Sequence, residues 1–367
     1  MAKLLLLGAG KIGRAIAKLL AQSGDYDLLV GDVDERALQR LHGIPHVAVR
    51  RLDVTDHGQL VAAMSGRDSV LSACSFAVNP GIARAALAAG VSYFDLTEDV
   101  ATTRAVAALA AQARPGQIFM PQCGLAPGFI AIAGHHLAQG FDTLDEVKLR
   151  VGALSQFPTG ELKYNLTWST DGLINEYCNP CEVIHEGQRL EVLALEGLEH
   201  FSLDGIDYEA FNTSGGVGTL WETLHGRVRN LDYKTIRYRG HRDLVAFLVN
   251  ELRLKERRHL LKDIFEHAVP ITLQDVVLIF VTVTGMRGGY LHQVTDARKV
   301  YHAELFGEPW SAIQITTAAG ICTVVDLHHG GRLATTSGFV RQEQVGLDLF
   351  LANRFGRLYT GGKPEAR

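Results

Sequence analysis

Leu4-Leu5-Leu6-Leu7-Gly8-Ala9-Gly10-Lys11-Ile12-Gly13 sets an apolar run directly before G-x-G-x-x-G, and a helical pattern follows to Gln22. A second apolar run, Leu28 to Gly31, ends at Asp32, the acid expected about twenty residues after a dinucleotide-binding glycine loop. Each glycine has its own reason. Gly8 permits the tight turn, Gly10 lets a diphosphate approach the backbone, and Gly13 lets helix pack on strand. The phosphates are then expected at the helix N-terminus, on the N–H groups that Lys11 and Ile12 open. Asp32 would accept hydrogen bonds from ribose hydroxyls and repel a 2′-phosphate. Val33 follows, and the nearest base is Arg36, which favours NAD over NADP. Asp32 also suits a cap for a helix starting near Glu35, and the two roles are compatible.

The chain has 367 residues, 47% of them hydrophobic, enough for two cores. Its formal charge of −4 is small and dispersed, so nucleic acid is not expected as a partner. The run Lys255-Glu256-Arg257-Arg258-His259 reads as the wet face of an amphipathic helix. Five scattered cysteines fit a reducing cytoplasm. Cys178-Asn179-Pro180-Cys181 has no second C-x-x-C or His pair at zinc-finger spacing, and the adjacent pairs His135-His136 and His328-His329 diverge, so no metal is expected. No signal peptide or membrane-spanning run is visible, so the reading is a cytoplasmic protein without a membrane partner. Residues 360–367 read as a flexible tail.

Up to about Pro121, short apolar strands alternate with alanine-rich helices, the order of a Rossmann-type doubly wound parallel α/β sheet. The strands are placed at Lys3 to Gly8, Asp27 to Gly31, around His46 to Leu52, Ser69 to Ser72, near Tyr93 to Asp95, and Ile118 to Met120. Ligands in such sheets gather at the strand carboxyl ends. Asp53 and Val54 are therefore expected near adenine, Ser75, Phe76 and Asn79 along the ribose and nicotinamide, and Asp95, Thr97 and Glu98 facing the reacting ring. Each also suits a turn or cap. Beyond Pro121 the pattern predicts an α+β substrate and dimerisation domain with a largely open sheet. Its strands are expected at Glu146 to Val151, Glu161 to Ser169, Glu191 to Leu195, Lys234 to Tyr238 and Val276 to Thr284. Helices are expected at Gly172 to Tyr177, Leu220 to Leu224 and His241 to Asn250, continuing to Phe265. A long helix over Trp310 to Leu327 then returns to cover the first domain. The expected division is residues 1–122 with 310–350 for NAD, and 123–309 for substrate and dimerisation.

Cys123-Gly124-Leu125-Ala126-Pro127-Gly128, Gly172-Leu173-Ile174-Asn175-Glu176-Tyr177, Phe211-Asn212-Thr213-Ser214-Gly215-Gly216 and Lys234-Thr235-Ile236-Arg237-Tyr238-Arg239-Gly240-His241 together resemble the saccharopine dehydrogenase-like family, over nearly the whole chain. The lysine 6-dehydrogenase branch is the nearest in resemblance. It implies NAD-dependent oxidative deamination of the terminal amine of lysine. Saccharopine-forming reductases carry an acid where this chain has Ala126, which argues against saccharopine as substrate.

An ammonium cannot release hydride from its neighbouring carbon, so the amine must first lose a proton from a group whose ordinary pKa is about 10.4. Asp95 is the first candidate for acid–base work, followed by Glu98 and by Tyr164 on a strand of the second domain. His225, beside Glu222, ranks below them. Recognition of a substrate carboxylate needs converging donors, offered by Thr213 and Ser214 and by Arg237, Arg239 and His241. On a strand, Arg237 and Arg239 share one face. Glu176 and Asn175 would contact the substrate amine or brace the cleft between domains; Trp168, Tyr177 and Trp221 read as core or interface aromatics. The expected partners are a small amino-acid substrate and a second copy of the chain through exposed sheet edges. The rival readings are a saccharopine-type or carboxyspermidine-type reductase and a non-catalytic NAD-binding scaffold.

Overall fold

Four consecutive leucines, Leu4 to Leu7, are each 0% exposed, because the strand they form is covered on both faces. The computed structural model describes residues 1–361 and divides into two compact units, Met1–Phe129 with Gln314–Arg367, and Ile130–Ile313.

In the first unit the strands are β1 (Ala2–Leu7), β2 (Tyr26–Asp32), β3 (Val47–Arg51), β4 (Ser69–Ser72), β5 (Ser92–Asp95) and β6 (Ile118–Met120), completed by Gly338–Phe339. The sheet order is 3-2-1-4-5-6 followed by that last strand, all parallel. Strand order reverses between β1 and β4, and the crevice outside their carboxyl ends is where such a sheet takes a ligand. Helix α1 (Lys11–Gln22) buries Ile16, Leu19 and Leu20, while α4 (Asn79–Ala89) and α5 (Val100–Ala110), the fourth and fifth helices, pack Ile82 and Val106 with Leu5, Val70 and Tyr93 in one core. A Ser or Asp cap was expected at several turns. Asp34, not Asp32, caps the helix at Glu35–Gln39, and Asp99, not Asp95, caps α5.

The second unit carries a mixed sheet of β7 (Thr143–Ser155), β8 (Cys181–His185), β9 (Gln188–Val192), β10 (Glu199–Leu203), β11 (Ile206–Asn212), β12 (Val228–Tyr238), β13 (Asp275–Arg287) and β14 (Tyr290–Tyr301). The order runs β10-β11-β12-β7-β13-β14, with the β8–β9 hairpin attached to β12. Only β7 and β12 run parallel; the other pairs are antiparallel. Long β7 and β13 read clearly in the sequence because they are central and apolar. The partner strands β8, β10, β11 and β14 do not: exposed residues dilute the pattern in β10 and β14, while the buried acids Glu182 and Glu209 interrupt it in β8 and β11.

Three expectations fail here. Glu161 to Ser169 is a turn and an irregular segment with one bridge, Leu166 to Ile271, so Tyr164 is not on a strand. The helix expected from His241 to Phe265 is broken after Glu251, where Arg253 takes a left-handed backbone (φ 56°), and resumes at Arg258–Ala268. The tail expected over residues 360–367 does not include Thr360, which closes the short helix Gly356–Thr360; residues 362–367 lie outside the described part.

Candidate functional site

The glycine loop in the first unit has the three distinct environments that a diphosphate cradle requires. Gly8 has φ +95°, and a Cβ there would meet the Ala73 carbonyl oxygen at 2.8 Å. A Cβ on Gly13 would lie 1.9 Å from the Gly8 carbonyl oxygen, so helix and loop touch through bare backbone. Gly10 has nothing within 4 Å of that position. It is also the N-cap of α1, where no side chain caps the N–H groups that open the helix, an arrangement suited to an anion. The Asp32 carboxylate accepts the Ala9 N–H at 2.6 Å and the Asp34 N–H at 2.9 Å, which ties the end of β2 to the glycine loop. Val33 beside it is 54% exposed. These residues fit a nicotinamide dinucleotide.

The other strand-end residues fall into two groups. Asp53 is exposed and folds back on Thr55, whose N–H and hydroxyl hold its carboxyl below the usual range; Val54 is half-buried against the core. Ser75 is exposed, Phe76 and Glu98 half-buried, and Asn79 buried, accepting from the Ser72 hydroxyl at 2.7 Å. Asp95 is 0% exposed. Its carboxylate accepts from the Tyr93 hydroxyl (2.6 Å), the Thr97 N–H (2.9 Å) and the Gln122 N–H (3.0 Å). Burial pushes its pKa up against the pull of those three donors. Asp95 thus clamps the chain leaving β5 to the chain leaving β6. Thr97 is buried within that clamp.

In the second unit the predicted substrate residues partly converge. Arg237, on β12, is 2% exposed; its Nε donates to the Tyr177 hydroxyl at 3.1 Å and its Nη1 to the Ile236 carbonyl at 2.9 Å. Its Nη2 lies 4.0 Å from Oε2 of Glu176, and its Cζ sits 5.0 Å from the centre of the Tyr164 ring. Burial alone would lower the guanidinium pKa, but Tyr177, Tyr164 and Glu176 together raise it. His241 is buried between the Tyr177 hydroxyl (2.9 Å) and the Leu162 carbonyl (2.8 Å). Burial, then the charge of Arg237, lower its pKa to about 3, so it is neutral. The Thr213–Ser214 turn joins them, because the Ser214 N–H donates to the Glu176 carbonyl at 3.0 Å.

Arg239 does not join. β12 ends at Tyr238, Gly240 turns the chain at φ +94°, and the Glu209 carboxylate holds that turn through the Gly240 and Arg242 N–H groups. The strand alternation therefore stops before Arg239, which is exposed opposite Asp207. Tyr177, read as a core aromatic, is instead the hinge of the polar set. Asn165 and Thr167 were missed. Both are buried, alternating with Leu166 in a segment too irregular to score as a site. His225 is an exposed C-cap, and Trp221 stacks under Arg189, with the guanidinium carbon 4.1 Å from the ring centre. Cys178 and Cys181 are free thiols.

Residues 4–120 match the saccharopine dehydrogenase NADP binding domain, and residues 124–345 match the saccharopine dehydrogenase C-terminal domain. Among solved structures, the fold resembles apo saccharopine dehydrogenase (L-Glu forming) from Saccharomyces cerevisiae, with 15% identity, 95% of each chain covered and a TM-score of 0.75. It also resembles the homospermidine synthase from Legionella pneumophila in complex with NAD, with 12% identity, 99% of this chain and 90% of that one covered, and a TM-score of 0.64. With a glycine loop shaped for a dinucleotide and both domains matched along their length, the chain belongs to the saccharopine dehydrogenase family of NAD(P)-dependent oxidoreductases.

Proposed function

We propose that this chain is an NAD-dependent amino-acid dehydrogenase that oxidises the ε-amine of L-lysine to the 6-semialdehyde, which cyclises to a piperideine carboxylate. The observation that carries this reading is the buried polar set around Arg237, in a chain whose other unit is shaped for a dinucleotide diphosphate. NAD rather than NADP is favoured by Asp32 at the end of β2 and the exposed Val33 after it, which offer a 2′-phosphate a carboxylate and no base.

The bound nicotinamide supplies the hydride acceptor. The residues of the chain must strip water from the lysine amine and carry its proton away, since desolvation favours the neutral amine that oxidation needs. Loss of hydride from the ε-carbon of the neutral amine leaves an iminium ion; water adds to it, and ammonium departs as the aldehyde forms. In this proposal Asp95 positions the loop after β5, Glu98 and Tyr164 remain the proton carriers, and Arg237 with Thr213 and Ser214 holds the substrate carboxylate. Arg239 is not assigned to substrate. Five free cysteines suit a reducing cytoplasm. The chain is proposed to pair with a second copy through β14, an edge strand that exposes Tyr290 (75%), Leu291 (68%) and Tyr301 (52%).

The test is direct. Purified protein with NAD and L-lysine is expected to generate reduced nicotinamide, followed by its absorbance. Reduced cofactor consumed only with an amine and a carbonyl acid together would overturn the reading in favour of a reductase.

A further inference from the structure

Asp32 and Arg51 lie far apart in the chain and side by side in the sheet. β2 and β3 run parallel, and their register pairs Gly31 with Arg50 and Asp32 with Arg51. Paired residues of adjacent strands point to one face and successive residues alternate, so Arg51 shares the face of Asp32 and Arg50 takes the other. The two arginines accordingly meet different groups. The charge of Arg50 acts on Arg67. Arg51 Nε instead lies 3.7 Å from Oε1 of Glu35, the residue that opens the helix at Glu35–Gln39, and its charge reaches Asp53. Arg36 is nearer to Asp32 in sequence, but Arg51 is its partner across the strands.

The other acids at these strand ends are engaged by local backbone. Asp32 accepts the Ala9 and Asp34 N–H groups, Asp34 accepts the Arg36 N–H, and Asp53 accepts from Thr55. Donors of this kind offset part of a carboxylate's charge. The pair of Glu35 with Arg51 is loose, since 3.7 Å exceeds a normal hydrogen bond and the two side chains are 72% and 70% exposed. An exposed pair contributes little, so this guanidinium changes partner at small cost. Asp32 stands where the adenosine ribose hydroxyls of a dinucleotide are expected, and a phosphate on the 2′-oxygen is a dianion that an arginine fork matches. Asp32 and Val33 offer it no base; the neighbouring strand does. We propose that Arg51 is the seat of a 2′-phosphate and Glu35 the acid that withholds it, so that the chain accepts NADP as a second coenzyme and this pair sets how far NAD is preferred. The proposal rests on the dinucleotide reading of the glycine loop and keeps Asp32 as the ribose contact of NAD.

Binding of NADH and NADPH to the full chain is followed by the fluorescence of the reduced nicotinamide, without substrate or turnover. Wild type is expected to bind NADPH more weakly than NADH. Arg51→Gln should weaken NADPH by about tenfold or more, and Glu35→Gln should tighten it by about fivefold, each leaving NADH within about twofold. Arg50→Gln removes the same charge from the opposite face of β3 and should leave both ligands within about twofold, which separates a seat from the general field of the protein. Glu35 and Arg51 are exposed, so their variants are expected to melt with wild type. NADPH affinity unchanged in Arg51→Gln, or lowered as much by Arg50→Gln, overturns the proposal. So does NADPH that binds neither wild type nor Glu35→Gln while NADH binds both. NADPH bound more tightly than NADH by wild type, with the advantage lost in Arg51→Gln, would sink the NAD preference and uphold the seat. A chain that binds neither coenzyme ends the dinucleotide reading and this proposal with it.

Discussion

The backbone of Gly13 lies so close to Gly8 that a Cβ on the third glycine would stand 1.9 Å from the carbonyl oxygen of the first. Gly13→Ala must therefore push α1 off the end of β1, and a loss of stability of about 1–3 kcal/mol is expected from overpacking of this kind. Gly10→Ala meets nothing in the protein within 4 Å. It should melt near the wild-type temperature yet bind NAD at least about tenfold more weakly. Thermal melts with and without NAD separate the two effects, and a Gly10→Ala protein with normal NAD affinity would place the diphosphate elsewhere.

Asp95→Ala removes one acceptor from three donors at once, the Tyr93 hydroxyl and the Thr97 and Gln122 N–H groups. With each unpaired buried donor worth about 1–3 kcal/mol, the change should cost about 3 kcal/mol or more. Chemical denaturation measures it. A variant as stable as wild type but inactive would instead show Asp95 touching the reacting atoms.

Arg237→Lys keeps a charge but loses the fork that reaches Tyr177 and the Ile236 carbonyl together. For an α-amino-acid substrate, KM is expected to rise by about tenfold or more, with a smaller fall in kcat. Arg239→Ala, at an exposed position outside the set, should leave both within about twofold of wild type. Steady-state kinetics of the pair tests the assignment of one arginine and the exclusion of the other.

His241 has a folded pKa of about 3, well below its ordinary 6.5. The unfolded chain then binds a proton that the folded chain refuses, so stability contributed by the neutral ring is present above about pH 6.5 and is lost as pH falls towards 3. The slope is at most about 1.4 kcal/mol per pH unit from one such group. His328, depressed to about 4 by burial and then by His329, adds to the same window. Denaturation curves between pH 4 and 7 should flatten in His241→Gln relative to wild type, and an unchanged slope would contradict the buried neutral ring.

β14 offers an unpaired edge with Tyr290 and Leu291 exposed near its start. Leu291→Lys, a charge placed on the proposed pairing edge, should shift the sedimentation of the protein from dimer towards monomer. A wild-type chain that sediments as a monomer would refute the pairing.

The glycine loop, its strand and Asp32 were legible because each works through neighbours close in sequence: turn, helix and strand-end acid are set by local backbone geometry and a short apolar run. Central strands β7 and β13 were legible for a similar reason, since apolar buried residues recur at short spacing along each. Edge strands β10 and β14 were not, because exposed residues break their pattern, and β8 and β11 were not, because the buried acids Glu182 and Glu209 interrupt theirs. Tyr177 illustrates the limit at the candidate site. Its sequence context is that of a core aromatic, and only the packing of its helix against β12 sets its hydroxyl between Arg237 and His241.

The amino-acid order alone determined the parallel α/β sheet, the diphosphate loop and the chemical types available for a substrate carboxylate. Tertiary structure alone decided which of those types meet. It buried Asp95 under three donors, turned Arg239 out at Gly240, and brought Tyr164, Glu176 and Tyr177 to Arg237. Burial and hydrogen-bond pairing depend on contacts between segments far apart in the chain, and no periodicity within one segment records them.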